Sequence, residues 1–79
     1  MTGRTLNSPR PARVRWSEGR PALIDGEAVA SLRESWLVED RWWTSAPLRR
    51  RYWELVGRRG RNVVVFRDLC TNRWFSQSP

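Results

Sequence analysis

From Arg13 onward, turn residues interrupt the chain about every eight to twelve positions, and that rhythm limits what it can fold into. Between the interruptions stand short apolar runs. "RVRW" alternates, with Val14 and Trp16 on one face and Arg13 and Arg15 on the other. "SEGRP" reads as a turn. "ALI" runs into Asp25-Gly26, the strongest hairpin signal in the chain. "AVASL", "ESWLVED" and "RRYWELV" follow, and "GRRGRN" makes a charged turn after the last of them. "NVVVFRD" is short, β-branched and bounded by turn residues, so it is the clearest strand. "LCTN" turns again, with Asp68 or Asn72 placed to hydrogen-bond the local backbone, and "RWFSQ" closes the pattern.

Helical spacing competes at two places: Ala28, Leu32 and Trp36, and Leu48, Tyr52 and Leu55 with Val56. Pro47 after Ser45 would suit the first turn of a helix. The recurring turns favour strands at both. The expected fold is mostly β: a small single-domain antiparallel meander of five or six strands, curling into a half-open barrel. Flat two-layer packing needs more chain. Residues 1–12 carry Gly3, Asn7, Ser8, Pro9 and Pro11 with little apolar content and read as a flexible basic tail; residues 13–77 read as the β domain.

A chain of 79 residues buries only about 60% of its unfolded surface. Cys70 is its one cysteine and it has no His, so neither a disulfide framework nor a usual structural zinc site can supplement the core. Aromatic side chains remain, each burying about 150–250 Å². The six Trp are therefore first a source of stability. Trp42-Trp43, Tyr52-Trp53 and Trp74-Phe75 are adjacent pairs, so on strands one ring of each points to either face. Either both faces are covered or some rings are exposed. An exposed ring beside Arg suits a single-strand base platform or a protein anchor, and Arg lying across the outer rings would cover them instead.

All fifteen basic residues are Arg, and the net charge is +7. Arg forks suit phosphate and carboxylate, and their planes stack on rings. A GC-rich genome would also write Arg in place of Lys. Arg49, Arg50 and Arg51 form one cluster; Arg58, Arg59 and Arg61 form a second. On a hairpin they lie at opposite ends of one strand, about 20–25 Å apart at ~3.3 Å per residue. Arg49, Arg50, Arg58, Arg59 and Arg61 are the candidate nucleic-acid residues, with an acidic protein surface and a plain solvated face as the alternatives; Trp42 and Trp43 are the candidate partner-binding residues.

Catalytic signals are lacking in the sequence. Without His, Cys70 has no base, and no Gly-rich phosphate loop occurs. Glu39 and Asp40 would point to opposite faces of a strand, so they suit neutralising Arg better than holding a metal. The expectation is a non-enzyme with no cofactor. The N-terminal segment has basic residues but no apolar stretch behind them, and the longest strongly apolar run is Val63–Phe66. A soluble, cytoplasmic protein without membrane contact is expected.

The order of features from Arg33 to Gln77 resembles the C-terminal domain of ImuB, the Y-family-polymerase-like protein of the bacterial mutasome. Trp36 precedes the paired Trp42 and Trp43; an Arg-aromatic strand holds Arg51 and Trp53; an apolar strand ends in Phe66, Arg67 and Asp68; Arg73, Trp74 and Phe75 close it. Upstream, "GRPALIDGEAV" is similar to a segment of that domain, so the resemblance covers most of residues 13–77. That family often has acidic residues where this chain has Arg49–Arg51. No catalytic motif comes with the resemblance. It implies an adaptor in damage-induced translesion DNA synthesis that binds a mutasome or polymerase component, with Arg-rich turns assisting DNA contact. The alternative is a free-standing single-stranded nucleic-acid-binding domain unrelated to repair.

Overall fold

A computed structural model describes residues 8–41 and 43–77. Every regular element in it is a strand: β1 (Arg10–Pro11), β2 (Val14–Ser17), β3 (Arg20–Ile24), β4 (Glu27–Asp40), β5 (Leu48–Gly57), β6 (Asn62–Asp68) and β7 (Arg73–Gln77). They form one antiparallel sheet in the order β1-β7-β6-β5-β4-β3-β2. The expected mostly-β half-barrel is the architecture found, and both segments with helical spacing lie in strands.

The strand count is seven rather than five or six, and the strands differ from those read in the sequence in two ways. First, the N-terminal stretch divides between the two edges of the sheet. Arg10 and Pro11 pair with Ser76 and Phe75 of β7, and Ala12 N–H donates to Trp74 O at 3.0 Å. At the next residue the bonding changes side. Arg13 O accepts from Asp25 N–H at 2.7 Å, and Val14 pairs with Ile24 of β3. One continuous stretch thus ties the two edges together and curls the sheet, and among the described residues strand pairing starts at Arg10. Second, "AVASL" and "ESWLVED" are one strand. β4 runs 14 residues because bulges between Val29 and Ser31 and between Leu32 and Glu34 absorb the break.

Two tight turns set the register of the first half. Glu18-Gly19 joins β2 to β3 and Asp25-Gly26 joins β3 to β4, with φ of 54° and 80°, then 48° and 85°. Positive φ at both central residues is the type I′ requirement, and glycine meets it without strain. The Asp25 carboxylate also accepts from Arg13 N–H at 2.8 Å, fixing the point where the chain switches edges.

The core lies on the concave face. Ile24, Trp53, Leu55 and Val65 are buried there, with Val14, Val29, Leu32, Val63 and Trp74 packed against them. The β2–β3 hairpin folds over this face. Its Trp16 meets Trp53 edge-on at 5.4 Å and Trp74 at 5.8 Å, while Trp53 and Trp74 are 5.2 Å apart. Trp53, Val63, Val65 and Trp74 all belong to this cluster.

Candidate interaction surfaces

The second ring of each described aromatic pair lies on the opposite face. Register places Trp36 opposite Tyr52, Tyr52 opposite Phe66, Phe66 opposite Phe75, and Phe75 opposite Pro11. The four rings form a row across β4, β5, β6 and β7. Neighbouring centroids are 5.3, 4.9 and 5.2 Å apart, and the Trp36 and Tyr52 planes are parallel within 1°. At cross-strand spacing, parallel rings stand upright on the sheet with faces against one another. Their faces are therefore taken up within the row. The row has two ends: among the described residues no ring lies beyond Trp36 on β4, and Phe75 has Pro11 of β1 opposite it.

Arginines seal this row and its counterpart on the core side. The Arg50 guanidinium lies 4.5 Å from the Phe66 centroid and donates to Tyr52 Oη at 3.2 Å. Arg67 lies 5.8 Å from the Trp74 centroid. The Nε of each is buried without a hydrogen-bond partner among the described residues. Ring contact compensates part of that loss. Phe66 is 1% exposed even though no second layer of the described chain covers it, because Tyr52, Phe75 and Arg50 enclose it.

The predicted arginine clusters do sit at opposite ends of β5. They do not form one track. Arg49 and Arg50 point to opposite faces; Arg49 Nε donates to Glu39 Oε2 at 2.9 Å, and Arg50 lies on Phe66. Glu39 thus neutralises an arginine, as the sequence suggested. At the far end, Arg61 Nη2 donates to Glu27 Oε1 at 2.7 Å and Arg59 N–H reaches Glu27 Oε2 at 3.4 Å. Arg61's hydrogen bond is the main cause that holds the Glu27 carboxyl below its ordinary pKa; desolvation opposes it. Arg58 is exposed, and its backbone N–H donates to Ala28 O at 3.0 Å. A depression of about 250 Å³ beside this turn is lined by Arg10, Arg59 and Arg61 but also by Asp25 and Glu27, so its charge is mixed.

Trp43 lies at the tip of the β4–β5 hairpin and is 65% exposed. Trp42 lies outside the described residues. The tip is held by local bonds. Asp40 Oδ1 accepts from Arg41 N–H at 2.7 Å, and Arg41 adopts φ of 53°. Thr44 N–H and Thr44 Oγ1 both donate to Arg41 O, at 3.0 and 2.8 Å, and Ala46 N–H donates to Thr44 Oγ1 at 3.1 Å. Pro47 ends the loop, where its missing N–H takes nothing from the ladder. The exposed Cys70 thiol lies 3.7 Å from Pro47 O, in the turn where Asp68 Oδ1 accepts from Cys70 N–H at 2.8 Å.

Sequence reasoning missed the Glu27 clasp on the β5–β6 turn and the place of Trp36 at the end of a ring row. The row was readable only once register was known. The geometry defines a small all-β domain with an exposed Trp43 at one hairpin tip and a long edge on β4. No family model matches the chain, and neither a curated protein nor a solved structure matches it.

Proposed function

We propose that this domain is a non-enzymatic adaptor in error-prone translesion DNA synthesis, and that Trp43 anchors it to a mutasome or polymerase component. The observation that carries the reading is Trp43 itself, a large ring 65% exposed on a hairpin tip already ordered by hydrogen bonds. An anchor held in place before binding loses little conformational freedom on docking. Trp beside Arg is also the composition of interface hot spots. The resemblance of most of residues 13–77 to the ImuB C-terminal domain suggests the class of partner. Arg58 and Arg59, on the turn at the other end of β5, assist contact with DNA.

The test is calorimetric titration of the domain with purified ImuA-like protein, ImuB-like protein and the error-prone replicative-type polymerase. One of them binds, and Trp43→Ala weakens that binding at least ~30-fold, the scale of a hot spot worth about 2 kcal/mol. Failure of all three to bind, or equal binding by Trp43→Ala, overturns the reading. A single-stranded oligonucleotide is titrated in parallel against salt. Weak binding at physiological salt fits the adaptor. Tight binding whose salt slope flattens by about 1.4 on replacing Arg58 and Arg59 makes the domain a nucleic-acid binder instead.

A further inference from the structure

β4 carries a long edge that no described residue pairs with. Its outer side meets β3 only at Glu27 and Ala28, while its inner side pairs with β5 as far as Asp40. Which backbone groups face outward follows from bonds at the ends of β5. Arg49 O accepts from Leu69 N–H, and Gly57 N–H donates to Arg61 O, so odd residues of β5 bond toward β6. Arg58 N–H donates to Ala28 O, so even positions bond toward β4. Trp36 and Val38 oppose Tyr52 and Arg50 and therefore turn inward. Ser35, Leu37 and Glu39 turn their N–H and C=O outward. The segment Arg33–Glu39 spans about 23 Å at ~3.3 Å per residue. A long edge of this kind is a template for another strand.

We propose that this edge pairs with the same edge of a second copy of the chain, antiparallel and centred on Trp36. Charge selects both occupant and register. With Trp36 opposite its own counterpart, Arg33 falls opposite Glu39 of the second copy, and the pair occurs twice. Ser35 then opposes Leu37, and the outward-facing residues meet one another, as an antiparallel ladder requires. Centring on Leu37 instead sets Glu34 against Asp40, a pair of like charges. Centring on Ser35 sets Arg33 against Leu37 and leaves no opposite charges facing. Trp36 also falls at a non-hydrogen-bonded position, where opposed side chains come closest. The uncovered face of each Trp36 meets the other, and the two rows of four rings join into one row of eight. Leu37, 44% exposed in the single chain, gains a cross-strand neighbour. This pairing uses neither Trp43 nor the arginines of the β5–β6 turn, so it stands apart from what those residues bind.

Sedimentation velocity over about two decades of concentration tests it, since an interface below about 1,200 Å² associates weakly. The chain passes from monomer to dimer. Leu37→Pro removes an N–H that faces outward and spares the bonds to β5, so it abolishes the dimer while the melting temperature of the dilute monomer holds. Arg33→Glu and Glu39→Arg each weaken self-association at least tenfold by opposing like charges. Mixing the two variants restores it as a heterodimer, because every pair across the axis is then complementary. A monomer at all concentrations overturns the proposal. So does a dimer that survives Leu37→Pro, and so do charge variants that fail to recover on mixing.

Discussion

Trp53→Ala separates the two kinds of tryptophan in this chain. Trp53 is 5% exposed and lies between Trp16 at 5.4 Å and Trp74 at 5.2 Å. A ring of this class removes about 150–250 Å² from water, or roughly 4–6 kcal/mol at ~25 cal/mol per Å², of which alanine retains a small part. The expected cost is therefore about 3–5 kcal/mol, the range measured for large aromatic truncations. A domain of this size has roughly 3–5 kcal/mol to lose. Trp53→Ala should be mostly unfolded at 25 °C, whereas Trp43→Ala, at an exposed tip, should change stability by no more than about 0.5 kcal/mol. Near-ultraviolet circular dichroism and urea titration measure both. About 1 kcal/mol shifts the melting temperature by ~4–8 °C at this length, so the two variants cannot be confused. A Trp53→Ala protein that melts within a few degrees of the parent would refute the assignment of the concave face as the core.

Gly26→Ala places a side chain at φ of 85° in the β3–β4 turn, and urea titration should show a loss of about 1–2 kcal/mol. Glu27 supplies a pH test. Its folded pKa is lowered by Arg61, so its contribution is present above the unfolded value and fades as pH falls through it toward the folded one. The melting temperature of the parent should therefore exceed that of Glu27→Gln at neutral pH, and the two should converge in acid; a gap that widens in acid would contradict the clasp.

The strands were legible because their signals are local. Asp25-Gly26 and Glu18-Gly19 specify two-residue turns through backbone sterics alone, and "NVVVFRD" needs no distant partner to declare its preference. Adjacent aromatics also announced that both faces of the sheet would carry rings, since the pleat alternates whatever the strand pairs with. What the sequence left open depends on register and closure. Helical spacing in residues 28–36 and 48–56 was overruled because the two segments pair with each other along one long ladder, and β5 carries a second ladder to β6. The bulges that fuse β4 into one strand, and the switch of the N-terminal stretch from β7 to β3 between Ala12 and Arg13, exist only when both edges of the sheet are present. The arginines changed meaning most. In the sequence Arg49, Arg50 and Arg61 are interchangeable positive charges. In the fold one bonds Glu39, one lies on Phe66 and one holds Glu27. Charge is a property of the residue; its partner is set by which strands the tertiary structure brings side by side.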